Sequence, residues 1–485
     1  MSVHVKPNEE VLQKLAAEKR KSTILSLLIG VLSCVLMGVV LSVMLMKIEE
    51  KNVEDLMAWK AKQQNVTPPE RPEMNSQVKA KPTPPAGNRS KVITVANRQS
   101  PVFVMKVNEV TDEPFTTIGM DDYGDGMMGG DGLEIGIPPR QIAKRCSKAD
   151  RLARLQKSGG SADCEDAVMN ALRWMQKNQN KNGSWCKQKQ VGMTGLALLS
   201  YLGHCETPLS VEFGESVENA IIYLTQVSMK NDGKLASDLN DKHWPYEHAI
   251  ATYALAEAYT LCKAYNLTIP NLKEAVSKGA DIIVSHQHTS GGWDYSYDMS
   301  GSRGGDTSIT CWHLQALKAC KTADLSTKAS ARSVKNALKY LKECQLKNGT
   351  VGYQGHRILA YGPTMTSGAV LCWQQWGQGR RSDSRKALRY LKDEKPLQYN
   401  VNGDLYKHYY QSQAMINEGG KIWADYNSAF RKEIVSNQNK DGSWKSPATK
   451  QSRQFMGNAG IAPHYRTCLC TLMLEVYYRY LPSSE

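Results

Sequence analysis

Roughly the last two-thirds of the chain repeat one short turn sequence. In each copy a glutamine is followed four positions later by glycine and six positions later by tryptophan. Such repetition indicates a fold in which each unit buries its apolar face only by packing on its neighbours. A fourth copy, beginning at Gln345, has Val351 in the tryptophan position. The three complete copies are Gln179, Gly183 and Trp185; Gln287, Gly291 and Trp293; and Gln438, Gly442 and Trp444.

Helical patterns precede and follow each turn. Residues 171–175 and 387–391 have apolar side chains at i, i+1, i+3 and i+4, which predicts amphipathic outer helices before the turns. The stretches after the turns, such as residues 308–319, are more apolar and predict inner helices that are buried on most sides. Asn-Gly or Asp-Gly supplies the positive φ that ends the first helix. The sequence therefore predicts an all-α domain over residues 161–485, built from six helical hairpins.

A long uncharged run lies near the N-terminus. Residues 24–46 are 23 consecutive residues without a charge, enough to cross a hydrocarbon core of roughly 30 Å as one transmembrane helix. A secretory signal peptide is the alternative, but the lead is long and no A-x-A cleavage site follows. The basic residues in the lead favour a cytoplasmic location for residues 1–23. We therefore expect a single-pass protein of the inner (cytoplasmic) membrane whose helical domain is extracytoplasmic.

The segment between the membrane helix and the hairpins has the composition of a linker. Proline clusters between residues 67 and 85, and glycine and aspartate cluster between residues 119 and 132. Such a composition disfavours a packed core and predicts a largely flexible, disordered linker over residues 47–160.

The net charge of the chain is +14. Along the sequence its basic residues are scattered among acidic ones rather than gathered into a block, which favours a solvated basic surface. No nucleic-acid-binding motif is present, so no nucleic-acid partner is predicted.

Cysteine counting leaves at least one free thiol. Of the twelve cysteines, Cys34 lies in the predicted span, and the remaining eleven cannot all pair within one chain. No C-x-x-C pair occurs. Cys311, Cys372, Cys468 and Cys470 lie in apolar helical stretches, where a small buried thiol is the expected state.

The repeated turns resemble the QW repeats of squalene and oxidosqualene cyclases, and related turns occur in protein prenyltransferase β subunits. The stretches 409–414 and 465–475 are similar to inner helices of membrane-anchored bacterial prenyltransferase and squalene-oxidase repeat proteins. The resemblance covers roughly the last two-thirds of the chain. It implies the (α/α)6 toroid of the terpenoid cyclase and protein prenyltransferase superfamily, in which six inner helices form a barrel inside six outer ones.

The catalytic motifs of these enzymes are missing. Where the resemblance implies the acidic D-x-D-D cluster of a cyclase, the nearest run is Asp238-Leu-Asn-Asp241. Where it implies a prenyltransferase zinc site, Ser308 replaces the cysteine and Arg466 replaces the histidine. We therefore predict no metal and no cofactor, and leave open whether the protein is an enzyme.

The N-terminal ends of the inner helices should surround one mouth of the toroid, where unpaired N–H groups favour polar or anionic ligands. Asp306, His408 and Arg466 are the candidates there for acid–base chemistry. Helix capping is the alternative role for each of these polar residues. The ligand-binding candidates are Trp244, Tyr246, Glu247, His248, Tyr409, Gln411, His464 and Tyr465.

Three functions follow from these observations. The first is a membrane-tethered, noncatalytic binding or scaffold domain at the cell envelope, with a peptide, glycan or lipid ligand. The second is an enzyme acting on isoprenoid or other lipid substrates with a non-standard active site. The third is a component of envelope transport or energy transduction, which would have an inner-membrane protein partner.

Overall fold

The computed structural model describes residues 146–355, 361–448 and 460–479. The predicted cytoplasmic segment (1–23), the predicted transmembrane helix (24–46) and the predicted linker up to residue 145 lie outside the described residues. Within the described ranges, no helix is both long and apolar enough to span a membrane.

Fifteen α-helices and one short 3-10 helix, Tyr295–Tyr297, occur in the described residues. The α-helices are α1 Lys148–Lys157, α2 Ala162–Lys177, α3 Gln190–Gly203, α4 Gly214–Lys230, α5 Trp244–Ala264, α6 Leu272–Ser285, α7 Thr307–Thr322, α8 Lys328–Glu343, α9 Gly362–Gln375, α10 Ser382–Lys392, α11 Tyr399–Asn402, α12 Leu405–Glu418, α13 Gly420–Val435, α14 Ala462–Leu474 and α15 Val476–Arg479.

The helices form two concentric layers. Helices α3, α5, α7, α9, α12 and α14 pack on one another in sequence as the inner layer, and α2, α4, α6, α8, α10 and α13 lie outside them. The last inner helix, α14, returns to pack on the first, α3. There the Nε2 atom of His464 lies 3.0 Å from the carbonyl oxygen of Met193. The described chain is therefore a closed α/α toroid of six hairpins, as the sequence predicted.

Each repeated turn fastens one hairpin to the next. The side-chain amide of Gln179 donates to the carbonyl of Gly183 within its own turn and to that of Ser216 on α4, both at 2.9 Å. The equivalent amide of Gln438 donates to Gly442 at 3.0 Å and to Ala167 on α2 at 2.8 Å. The same bond that joins neighbouring hairpins thus joins the last hairpin to the first.

The tryptophans tie each turn to its outer helix. The indole N–H of Trp185 donates to Met175 at 2.8 Å, that of Trp293 to Ile283 at 2.7 Å, and that of Trp444 to Ile434 at 2.8 Å. All three rings are almost fully buried. A buried ring with its polar atom satisfied stabilises the turn through both apolar burial and a hydrogen bond.

The helical domain begins before residue 161. Residues 148–157, which fall inside the predicted linker, form α1, because the Ser147 side chain caps it and Leu155 is fully buried. Cys146 forms a disulfide with Cys205 at the end of α3. The end of the toroid formed by the inner-helix C-termini is therefore partly covered by α1, where Arg154 donates to the carbonyl of Tyr478 at 3.3 Å.

Candidate binding site at the mouth of the toroid

Each inner helix follows an outer helix of its hairpin and all run in the same direction, so their N-terminal ends meet at one end of the toroid. We call this end the mouth. The tyrosines at the mouth are half-buried, with the exception of Tyr406, which is buried. They are Tyr246, Tyr295, Tyr353, Tyr361, Tyr406 and Tyr465.

Arg303 is the charged centre of one side of the mouth. Its guanidinium binds Asp294 through one nitrogen and Asp306 at 3.2 Å through another. Its plane lies over the ring of Tyr295, 4.5 Å from the ring centre, and 5.9 Å from the centre of the Tyr353 ring. The two tyrosine hydroxyls lie 2.6 Å apart. Two carboxylates and two aromatic faces therefore hold one partly exposed cation.

Asp306 is fully buried and begins α7 as its N-cap. Its Oδ1 atom accepts the backbone N–H groups of Ser308 at 2.8 Å and Ile309 at 3.1 Å, and its Oδ2 atom accepts Arg303. Burial raises the pKa of this carboxyl above its ordinary value, although hydrogen bonds and the charge of Arg303 oppose the rise. Asp306 thus couples the start of α7 to Arg303.

Just inside the mouth, side chains of α7 and α12 meet within the ring, beginning at Ser308 and Tyr406, the second residue of each helix. These helices are not neighbours in the inner layer, because α9 lies between them in the sequence of packing. The hydroxyl of Tyr406 accepts the indole N–H of Trp312 at 2.9 Å and lies 2.7 Å from Ser308 Oγ. The hydroxyl of Tyr409 donates to Gln315 at 3.1 Å. We call these five residues the central bridge; all are buried.

The mouth also has a cavity of about 380 Å³ on its α9–α12 side. Asp404, the N-cap of α12, accepts the hydroxyl of Thr364 at 2.8 Å. Lys407 lies 3.6 Å from Glu394, and both Asp404 and Lys407 are buried. The cavity, which Tyr361 also lines, therefore presents polar groups of both signs beside an aromatic ring.

The three residues predicted for acid–base chemistry have separate partners. Asp306 binds Arg303, whereas His408 points toward α13, where its Nδ1 atom lies 3.0 Å from the Tyr426 hydroxyl. Arg466 donates to the carbonyl of Trp444 at 3.3 Å. Burial holds the pKa of His408 well below its ordinary value, which keeps the ring neutral. The structure therefore does not bring these three residues together into one constellation.

Two of the predicted ligand-binding residues pack behind the mouth. The rings of Trp244 and Tyr297 lie 4.6 Å apart edge to face. His248 accepts the N–H of Leu235 at 3.0 Å, and burial lowers its pKa to about 4. Both residues contact the loop before α7 and stabilise it.

Glu247 forms an internal network beside the mouth. Its carboxylate accepts the N–H of Gly192 at 3.1 Å and the hydroxyl of Ser237 at 2.5 Å, and it lies 3.7 Å from Lys189. Burial raises its pKa, against these hydrogen bonds and this charge.

The remaining predicted residues divide between the interior and the mouth. His464 is buried, stacks on Trp185 with ring centres 5.9 Å apart, and has a pKa lowered by burial to about 4. Tyr409 belongs to the central bridge, and Gln411 is buried in α12. Tyr246 and Tyr465 are the predicted ligand-binding residues that remain half-buried at the mouth.

Sequence reasoning missed the residues that hold Arg303. Arg303, Asp294, Tyr295 and Tyr353 lie in segments between helices, where no periodicity marks them. A signal was nevertheless present, because Asp294 and Tyr295 directly follow the repeated turn that ends at Trp293. In the described residues no group of three or more His, Cys, Asp or Glu side chains is placed to hold a metal ion.

No protein-family model matches this chain, and no curated protein matches it. Solved structures that resemble it include a type II terpene cyclase from Scytonema in complex with geranylgeranyl dihydroxybenzoate, at 12% identity and a TM-score of 0.44, over 65% of this chain and 98% of that chain. A glycosidase resembles it at 11% identity and a TM-score of 0.43, over 66% of this chain and 98% of that chain. Similarity at this level carries no argument about ligand or chemistry, and the toroid rests on the helix packing described above.

Proposed function

We propose that the protein is a membrane-tethered, noncatalytic toroid that binds an extended polar chain, a glycan or a peptide, at its mouth. The observation that carries the proposal is the central bridge. Trp312, Ser308 and Gln315 of α7 bond directly to tyrosines of α12, so the protein's own side chains fill the α7–α12 side of the interior just inside the mouth, where the entrance to a deep substrate chamber would lie. The groups left for a ligand are those of the mouth.

The chemistry of the mouth favours a polar chain over a lipid. A tyrosine presents a flat apolar face and a hydroxyl at one end, which suits a ligand that alternates apolar and polar surfaces. Arg303, Asp294 and the cavity around Asp404 add donors and acceptors beside these faces. Extended peptides with proline are bound in this way along aromatic grooves.

The disulfide supports an extracytoplasmic location. Disulfides form and persist in oxidising compartments. Cys146, the first described residue, forms one with Cys205. The other cysteines in the described residues are free, and all but the half-buried Cys186 are buried.

The test is ligand binding by the full-length protein in a neutral detergent. Co-sedimentation of the protein with insoluble polysaccharides would detect glycan binding. Fluorescence polarisation of a labelled proline-rich peptide would detect peptide binding. The double variant Tyr295→Ala, Tyr353→Ala should weaken binding about tenfold or more, because aromatic anchors dominate such interfaces. Tyr259→Ala, which removes a half-buried tyrosine remote from the α5 N-terminus, is the matched control. Equal binding by the double variant and the wild type would refute the site.

One observation favours the alternative of an enzyme acting on isoprenoid or other lipid substrates. Asp306 is a fully buried carboxyl with a raised pKa at the mouth of the toroid, and such groups serve as acids in many active sites. Incubation of the full-length protein with polyprenyl substrates, followed by mass spectrometry, tests this alternative. A product that Asp306→Asn abolishes would establish it and overturn the noncatalytic proposal.

A further inference from the structure

Folding concentrates positive charge on two neighbouring outer helices. Helix α8 contains five basic residues and one acidic residue, and α10 contains four and one. Helices α2, α4, α6 and α13 have nearly balanced charges. Helices α8 and α10 are adjacent, since Gln345 donates to Asp383 at 2.9 Å and Lys342 lies 3.0 Å from the carboxylate of Asp383. We call their outer surface the basic face.

The basic residues form a stripe along each helix. In α8 they lie at i, i+4, i+7, i+11 and i+14, which places them on one side of a helix. Most are exposed, and within the described residues Arg332, Lys335, Arg389 and Lys392 form no ion pair. Like charges at i and i+4 destabilise a helix by about 0.2–0.5 kcal/mol per pair. Without an anionic partner, such a stripe lowers the stability of the domain.

The chain itself contains an acidic segment of matching charge. Residues 107–139 contain eight acidic residues and no lysine or arginine. They are Glu109, Asp112, Glu113, Asp121, Asp122, Asp125, Asp131 and Glu134. This segment lies outside the described residues and is separated from them by residues 140–145.

The acidic segment is long enough to reach the basic face. The described chain begins at Cys146, which the disulfide holds at the end of α3. From Asp121 to Cys146 the chain spans up to roughly 80 Å when extended. Two layers of helices on each side, with axes 8–10 Å apart, make a ring about 40 Å across. The path around the toroid is therefore within reach of the segment.

We propose that the acidic segment of residues 107–139 docks on the basic face of α8 and α10 in the same chain. Docking neutralises the stripe and withholds this face from other polyanions and from anionic lipid surfaces. The proposal does not depend on what binds at the mouth.

Carbodiimide cross-linking of the full-length protein in a neutral detergent tests the proposal, since the reagent joins a carboxylate directly to a lysine amine. We expect peptides of residues 107–139 to be linked to Lys335 and Lys392 roughly tenfold more than to Lys273 and Lys432, a preference of ~1.4 kcal/mol. Lys273 and Lys432 are exposed on α6 and α13 and are the matched controls. Raising the salt from about 0.1 M to about 1 M shortens the Debye length from about 10 Å to about 3 Å and should remove the preference.

Mixing isotope-labelled and unlabelled protein separates docking in one chain from docking between chains. Links confined to one isotope support the proposal, and mixed links or an even distribution over all lysines overturn it. The triple variant Asp121→Asn, Asp122→Asn, Asp125→Asn gives a second readout. It should elute from a heparin column at higher salt than a control of equal net charge, the triple variant Asp163→Asn, Asp166→Asn, Glu215→Gln, whose exposed carboxylates lie on α2 and α4, because the basic face is less covered. Equal elution of the two variants would show that the segment does not cover this face.

Discussion

Gly442 lies in the turn that closes the ring, and replacing it tests whether the repeated turns hold the toroid together. Its φ is +95°, and a Cβ atom built there would lie 2.7 Å from the carbonyl carbon of Asn170 on α2. We expect Gly442→Ala to destabilise the domain through backbone strain of about 1–2 kcal/mol and overpacking against a neighbouring helix of about 1–3 kcal/mol.

Gly420→Ala is the matched control. Gly420 also has a positive φ, +54°, but a Cβ atom there would meet no atom within 4 Å. The control should show only the strain of about 1–2 kcal/mol. Any stabilisation through the unfolded chain is common to both variants and cancels in the comparison.

The measurement is urea unfolding of the full-length protein in detergent, followed by far-UV circular dichroism and tryptophan fluorescence. Gly442→Ala should lose about 1–3 kcal/mol more than Gly420→Ala, the part due to overpacking. Equal losses for the two variants would refute the reasoning, since α2 would then move aside at no cost and the turn would not fix the closure of the ring.

Three further predictions concern buried bonds. Trp293→Phe leaves the carbonyl of Ile283 without its donor at 2.7 Å and should cost about 1–3 kcal/mol in urea unfolding; an unchanged midpoint would contradict it. Cys146→Ser removes a disulfide that spans 59 residues and should cost about 2–5 kcal/mol under non-reducing conditions, while wild type and variant should match after reduction. Burial disfavours the charged form of His204, but hydrogen bonds with Glu165 and Glu206 outweigh this effect and raise its pKa. The stabilisation that protonated His204 gives the folded state is therefore complete below about pH 6.5 and is lost as the pH rises through the folded pKa. His204→Gln should therefore flatten the fall of the unfolding free energy on the alkaline side, and an unchanged slope would contradict the assignment.

Much of the candidate site could not be predicted from the sequence. The half-buried Tyr246 and Tyr465 were recognised because inner helices begin beside them. Arg303 was missed because its partners come from two segments: Asp294 and Asp306 lie in the connection between α6 and α7, whereas Tyr353 lies after α8, and their approach depends on how the hairpins pack. His408 was expected at the mouth with Asp306, but successive side chains of a helix point about 100° apart, and the fourth residue of α12 faces α13 instead.

The position of surface charge was equally hard to predict from residue order, as the basic face shows. Along the sequence the lysines and arginines are scattered among acidic residues, and a solvated surface was the natural interpretation. The acidic residues belong mostly to other helices and loops, whereas α8 and α10 bring their basic residues side by side. Charge patterns on a surface depend on which helices become neighbours, and residue order alone does not specify this.

The sequence by itself determined the repeating unit. The amide of each repeated glutamine reaches a glycine four residues away, and each indole reaches a carbonyl ten residues back, so these bonds form within one hairpin and can be read from local spacing. Only the tertiary structure decided that Gln438 bonds to Ala167 and that Trp312 on α7 bonds to Tyr406 on α12. The physical reason is that small rotations between successive hairpins accumulate around the ring, and their sum fixes whether it closes and which side chains meet inside it.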